Sequence, residues 1–242
     1  MSIQHEIRRM LWNVGYDIIK FTPKFHPLAR RRQILNAYGI DTVLDVGANT
    51  GQFAQQLRHD IGYVKRIISF EPLSSAFKLL KAKAKGDAAW DIFNFALGDT
   101  EAKQEINIAD NSCCSSLLNM LSSHEKYIPR SKYIGTEMIN VKTLDSIFCN
   151  LCKPVNRVYL KIDTQGFENK VIKGAEKSLE QIDTIQMEMS LVPLYEDGLL
   201  FNDMYSLMAE KGYSLIAIET GFSYQTTGQI LKVDGIFHRL QL

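Results

Sequence analysis

Two carboxylates, Asp45 and Glu71, stand where they could bind a small molecule. Asp45 lies near the end of the apolar run Thr42-Val-Leu-Asp-Val46, and Gly47-Ala-Asn-Thr-Gly51 follows it. Gly47 lets the chain turn sharply without a Cβ clash, and Gly51 lets a ligand or a strand approach the backbone. Asn49 lies between them, and the open N–H groups of a helix starting at Gln52 can receive an anion. A second apolar run ends in Ser69-Phe-Glu-Pro72, at the distance of about 20 residues that a ribose-binding acid keeps from such a turn. Glu71 can accept both ribose hydroxyls, while Pro72 stops the strand and aims the loop. A carboxylate at position 45 suits an ammonium group or a backbone amide, not a pyrophosphate. The dinucleotide fingerprint G-x-G-x-x-G is incomplete here, because Gly47-Ala-Asn-Thr-Gly51 lacks the middle glycine. The set describes a pocket for a nucleoside with an amino-acid end, and S-adenosylmethionine has that shape.

The chemistry of a second substrate would sit on the run Val158-Tyr-Leu-Lys-Ile-Asp163. Side chains alternate along a strand, so Lys161 and Asp163 share one face. A lysine inside a buried strand needs a partner, and Asp163, Asp45 or Glu168 can supply it. Asp163 can orient an acceptor hydroxyl or take its proton; the competing reading is a structural ion pair at the strand end. Glu188 in Gln186-Met-Glu-Met189 offers a second acidic wall, or the base itself. Glu168 opens a helix expected over 167–179, where its charge favours the N-terminus. His124 and Tyr127 are candidates to cover the acceptor, and His238 is expected to be packed. No metal is expected. Cys149-Asn-Leu-Cys152 lacks a second ligand pair, Cys113 and Cys114 are adjacent, and Asp163, Glu188 and Asp234 are scattered acids. Four reduced thiols suit a cytoplasmic protein.

These residues need a scaffold that brings strand ends together. Apolar runs occur at Thr42–Val46, Arg66–Phe70, Asp91–Ala96, Arg157–Ile162, Thr184–Met189, Tyr213–Ile218 and Val233–His238. Helical patterns alternate with them at Gln52–Arg58, Ser75–Ala84, Phe167–Leu179 and Leu200–Glu210. Continuous apolar runs alternating with helices predict a doubly wound α/β sheet buried on both faces. An insertion at about 100–155 breaks the rhythm; Lys103–Ala109 reads as a strand within it, and 110–132 is polar and serine-rich. The domain is expected to span 36–242, with residues 1–35 as a basic, amphipathic helical extension.

The chain has 242 residues, 28 Lys+Arg and 27 Asp+Glu, a net charge of +1 that argues against a nucleic-acid partner. At 45% hydrophobic and 23% charged residues it has the composition of a folded domain rather than a disordered chain. No apolar run of about 18 residues predicts a transmembrane helix, and no secretory signal is recognisable. Residues 1–35 hold seven Lys/Arg against Glu6 and Asp17. Ile3, Ile7, Met10, Leu11, Val14 and Ile18 recur at helical spacing over a helix expected at 3–18. Either this face packs on the domain or on a second copy in a homo-dimer, or it lies on an anionic membrane. The second reading places a cytoplasmic protein at the inner face of the membrane.

The segments Leu44-Asp-Val-Gly-Ala-Asn-Thr-Gly51, Phe70-Glu-Pro72, Ala96-Leu-Gly98, Leu160-Lys-Ile-Asp-Thr-Gln-Gly-Phe-Glu168 and Val233-Asp-Gly-Ile-Phe237 run in a telling order. In content and order the sequence resembles the FkbM family of class I S-adenosylmethionine-dependent methyltransferases over residues 35–240. The resemblance implies a Rossmann-like α/β fold with a seven-stranded mixed sheet, its last strand antiparallel, and helices on both faces. It implies S-adenosylmethionine as cofactor and methyl transfer to an oxygen of a saccharide, glycan or other natural product. Carried over, Asp45 and Gly47 line the methionine end, Glu71 holds the ribose, and Ala96 and Leu97 flank the adenine, with Asn94 or Asp99 at its edge. The expected cofactor contacts are thus Asp45, Gly47, Asn49, Gly51, Glu71, Pro72, Ala96 and Leu97. The expected catalytic group is Asp163 with Lys161 and Glu188, and the partner is a small-molecule or glycan acceptor. Thr164-Gln165 replaces the family's usual hydrophobic–Glu pair, so a carboxylate is missing beside Asp163, and the N-terminal helix lies outside the shared region. Three alternatives remain at this level. An N-methyltransferase shares every motif, a nicotinamide-dependent oxidoreductase wants the missing glycine, and a non-catalytic binding module would dock through the N-terminal helix.

Overall fold

A computed structural model describes residues 3–128 and 131–239. Met1 and Ser2 of the N-terminal extension, Pro129 and Arg130 of the insertion, and residues 240–242 lie outside them. The chain begins with α1 (Ile3–Trp12), α2 (Pro27–Ala37), β1 (Thr42–Val46), α3 (Gln52–Gln56), β2 (Arg66–Phe70), α4 (Ser74–Ala84) and β3 (Trp90–Phe93). The insertion holds β4 (Ala96–Leu97), β5 (Ala102–Ala109), α5 (Ser122–Tyr127) and β6 (Tyr133–Lys142). Then follow α6 (Leu144–Leu151), β7 (Val158–Ile162), α7 (Glu168–Lys173), β8 (Ile182–Ser190), α8 (Phe201–Glu210), β9 (Tyr213–Thr220), the short pair β10 (Ser223–Tyr224) and β11 (Gln229–Ile230), and β12 (Lys232–Arg239).

Seven strands form one sheet in the order β3-β2-β1-β7-β8-β12-β9. All neighbours are parallel except β12, which runs antiparallel between β8 and β9. Strand alternation divides the core. Leu44, Val46, Ile68, Phe70, Leu160 and Ile162 pack on one face with residues of α6, α7 and α8. Val43, Ile67, Tyr159 and Ile236 pack on the other with Ile34, Leu35, Ala54, Leu57 and Leu80. Both faces are covered, which is why the sequence shows unbroken apolar runs. The strand order reverses at β1 and β7, so a crevice opens beyond their carboxyl ends, the usual ligand position in such sheets.

Three expectations about elements need correction. The run Asp91–Ala96 is two strands: β3 pairs with β2, while β4 leaves to pair with β6 in a separate three-stranded sheet, β4-β6-β5. The separation falls at Asn94, whose Nδ2 donates to the carbonyls of Glu71 and Pro72, both at 2.9 Å. The helix expected over 167–179 stops at Lys173 and resumes only as a 3₁₀ turn at Ser178–Gln181, because Gly174 packs against the Gly98 carbonyl where a Cβ would clash. The helix expected over 3–18 stops at Trp12; the Tyr16 N–H donates to the Leu11 carbonyl and the Gly15 N–H to that of Trp12, which closes its end.

The boundary expected at residue 35 falls inside α2. His26 caps that helix, its Nδ1 accepting the Leu28 N–H at 3.1 Å, and Pro27 occupies its first turn, where a missing N–H costs nothing. α2 buries Ala29, Arg31, Ile34 and Leu35 and is part of the domain body. No helix among the described residues is long and apolar enough to cross a membrane.

Candidate active site

The crevice beyond β1 and β7 is a cavity of about 990 Å³. Its floor is the turn after β1. Gly47 has φ +74°, and a Cβ there would lie 1.9 Å from the Asp163 carbonyl oxygen, so only glycine lets β7 run this close to the turn. The Gly47 and Ala48 N–H groups donate to the Phe70 carbonyl at 3.1 and 3.0 Å. Asn49, also at positive φ, turns its N–H to Glu71 Oε2 at 2.8 Å, while the Leu73 N–H reaches Oε1 at 2.8 Å. Each Glu71 oxygen is thus fixed by one backbone donor and keeps an acceptor site for a ligand. Burial pushes the Glu71 carboxyl up to about 7 against the pull of those two N–H groups. Pro72, Ala96 and Leu97 continue this wall with Phe70, Leu73 and Ile106.

Register explains the charged centre. Asp45 lies beside Ser69 on β2 and beside Lys161 on β7. Ser69 Oγ donates to Asp45 at 3.2 Å, and Lys161 Nζ stands 3.2 Å from Asp45 and 3.6 Å from Asp163. Burial works against the Lys161 ammonium, but the two carboxylates outweigh it and hold its pKa above the ordinary lysine value. Asp45 is fully buried and does not line the cavity. The expectation that it touches the methionine end is therefore corrected: it anchors Lys161, which does line the cavity together with Asp163. Gly51 is corrected likewise. A Cβ there would meet Leu80 at 2.9 Å and Trp90 at 3.0 Å, so its bare backbone admits α4 and β3 rather than a ligand.

Asp163 is joined to a buried network that the sequence reading did not anticipate. Gln165 Nε2 donates to Asp163 Oδ1 at 2.7 Å and to Glu188 Oε2 at 2.9 Å. Its Oε1 accepts from Tyr195 Oη at 2.9 Å and Lys232 Nζ at 2.7 Å. All four hydrogen-bonding positions of this amide are filled. Lys232 also pairs with Glu188 at 2.8 Å. Glu188 thus stands behind Gln165, outside the cavity lining, which corrects its assignment as an acceptor wall or base. One signal could have found Lys232: like Lys161, it is a lysine at the margin of an apolar strand.

The cavity extends toward β9, where Arg31, Gln186, Glu219, Thr220 and Asp234 line it. Arg31 pairs with Glu219, bonds Gln56 Oε1 and lies over the Phe53 ring at 5.1 Å. Burial, with Asp163 nearby, pushes Asp234 up to about 6. Nothing in the run Arg30-Arg31-Arg32 separates the buried middle arginine from its neighbours, so Arg31 was not legible. His124 and Tyr127 do not cover the cavity. His124 is buried on Ser131 and against Tyr195, its pKa lowered by burial to about 4, and Tyr127 packs on Tyr224. Ser112, Cys113, Ser115, Ser116 and Leu117 add to the part of the wall that the insertion supplies through Ala96, Leu97 and Ile106. Asp99 pairs with Lys170 and Lys173 outside the cavity lining, and Asn94 is occupied by the two carbonyls it clamps. Among the described residues, no group of three or more His, Cys, Asp or Glu could hold a metal ion.

The solved structures similar to this chain include a methyltransferase FkbM from Methylobacillus flagellatus KT, 13% identical with a TM-score of 0.49, covering 81% of this chain and 43% of that one. The chain therefore spans less than half the length of that protein. The plantazolicin methyltransferase BamL, in complex with a triazolic desmethylPZN analog and SAH, is 8% identical with a TM-score of 0.49, covering 88% of this chain and 84% of that one. An rRNA methylase from Streptococcus thermophilus is 11% identical with a TM-score of 0.47, covering 93% and 99%. No curated protein matches the chain. The pattern described as the methyltransferase FkbM domain matches residues 45–215, from the carboxylate that anchors Lys161 to the start of β9. The match takes in the end of β1, Glu71, the insertion, Asp163 and Glu188, and the chain belongs to the FkbM methyltransferase family.

Proposed function

We propose that this methyltransferase uses S-adenosylmethionine and methylates a hydroxyl oxygen of a saccharide, glycan or related natural product. One observation carries the reading: a single cavity holds a backbone-fixed Glu71 on one side of Gly47 and the Asp163–Lys161 pair on the other. The residues fit the cofactor. Glu71 keeps two acceptor positions for ribose hydroxyls, and Ala96, Leu97 and Ile106 offer an apolar wall for a base. The volume, about 990 Å³, is at the upper end of small-molecule sites and leaves room for an acceptor beside the nucleoside.

The bound cofactor supplies a methyl group already activated on a cationic sulfur. Asp163 accepts the hydrogen bond of the acceptor hydroxyl and takes its proton as the new O–C bond forms and the methyl–sulfur bond breaks, with that electron pair left on the neutral thioether. Lys161 Nζ stands 3.6 Å from Asp163, and Gln165 fixes the orientation of the Asp163 carboxylate through Oδ1. The polar extension lined by Arg31, Gln186, Thr220 and Asp234 suits an acceptor with several hydroxyls. Holding donor and acceptor in line is the larger share of the work, for which positioning can supply roughly 7–11 kcal/mol.

The test is Asp163→Asn, assayed against a panel of saccharides with a labelled methyl donor and product mass spectrometry. Calorimetric affinity for S-adenosylhomocysteine should stay within about twofold, and kcat should fall about 10²–10⁴-fold, as for loss of a general base. Wild-type turnover in the variant removes Asp163 from the chemistry. A methylated nitrogen in the product replaces the oxygen acceptor.

A further inference from the structure

The proposed reaction uses residues from Phe25 onward and leaves the preceding segment unexplained. Ile7, Met10, Trp12, Tyr16, Ile18 and Phe21 are between 45% and 72% exposed. Such a concentration of large apolar side chains on a surface marks an interaction site. The segment is also basic. Arg9, Lys20 and Lys24 are exposed, and residues 1–35 carry seven Lys/Arg against two acids, +5, in a chain whose total is +1.

Ile7, Met10 and Leu11 share one side of α1, and Arg9 lies on the opposite side. Trp12 and Tyr16 follow, the two residue types that settle at membrane–water boundaries. Arg8 is tied to Asp17 across the turn, which holds the end of α1 against the chain that follows. The wall of the cavity begins where this surface ends, with Phe25, His26 and Arg30.

We propose that residues 7–25 dock on an anionic lipid bilayer, apolar side chains in the headgroup boundary and basic ones on lipid phosphates, beside the mouth of the cavity. Charge decides the occupant. A symmetric pair of copies meeting through residues 7–25, where Arg8, Arg9, Lys20 and Lys24 stand against Asp17, would set +3 against +3, whereas an anionic bilayer complements this charge. This inference needs no turnover and stands apart from the proposed reaction.

The full chain is sedimented with sucrose-loaded vesicles of phosphatidylglycerol and phosphatidylethanolamine, and in parallel with phosphatidylcholine alone. Binding should be at least tenfold tighter to the anionic vesicles and should be lost at high salt. Arg9→Gln, Lys20→Gln and Lys24→Gln should each weaken it by about fivefold, and Trp12→Ser with Phe21→Ser should abolish it. These positions are exposed, so melting temperatures should not change. Equal recovery on the two vesicle types, or none on either, overturns the proposal from the wild-type protein alone. So does a dimer in sedimentation velocity that the same substitutions dissolve while vesicles capture nothing.

Discussion

Glu71 shows how one buried carboxylate can make a binding site sensitive to pH. Its carboxyl is raised to about 7 by burial, whereas an unfolded glutamate titrates near 4.5. Between those values the folded protein holds a proton that the unfolded chain has lost, so this group's contribution to stability falls as pH rises through the window and levels off above about 7. Binding runs the other way. Ribose hydroxyls need the ionised form as acceptor, so affinity for S-adenosylhomocysteine should rise with pH up to about 7 and then flatten. Glu71→Gln should remove both trends, read by chemical denaturation and calorimetry across pH 5 to 8. Gln165 makes a different argument. It separates Asp163 from Glu188 with two N–H donors, where a glutamate would put a third carboxylate. Gln165→Glu should therefore lower kcat at least tenfold while affinity for S-adenosylhomocysteine holds, because the Asp163 carboxylate loses the donor that orients it. A merely structural Gln165 would lower melting temperature without that split between kcat and affinity.

At the scale of elements, the turn after β1 sets the distance between the two working strands. Gly47→Ala would put a methyl group on the Asp163 carbonyl at a backbone angle that costs a non-glycine residue about 1–2 kcal/mol before any clash. The variant should melt several degrees lower and lose cofactor affinity, because the turn that fixes Asn49 and Glu71 must move. This turn was legible in the sequence, since strand, acid and glycines lie within ten residues of each other. So were the seven strands of the main sheet, since each is rich in apolar residues and the central β1, β2 and β7 are buried on both faces. Less legible was whatever depends on distant partners. Asn94 splits an apolar run by bonding to a loop 22 residues earlier, and Gly174 ends a helix because Gly98 passes beneath it. Lys161 was read as needing a carboxylate, and only strand register decides that Asp45 holds it and gives up contact with a ligand to do so. Local patterns report which residues are inside, and not which of them meet.

For the molecule as a whole, the first 37 residues form two units with opposite relations to the domain. Residues 7–25 leave large apolar side chains in solvent, so their removal uncovers little core. α2 buries Ile34 and Leu35 under the sheet, each worth about 1.5–3 kcal/mol. It also carries Arg31, 6% exposed, as the partner of Glu219, which is equally buried. Removing Arg31 would strand a carboxylate in the interior, a loss of about 3–5 kcal/mol against a typical domain stability of about 5–15 kcal/mol. A chain starting at Phe25 should keep its melting temperature within a few degrees and retain the cavity. A chain starting at Tyr38 should unfold or aggregate. A graded loss of melting temperature with each residue removed from 3 to 24 would instead show that the exposed segment packs on the domain in solution. The single variant Arg31→Met separates charge from volume: it empties the guanidinium from the cavity wall, should destabilise the fold through the stranded Glu219, and should regain stability when Glu219→Gln is added.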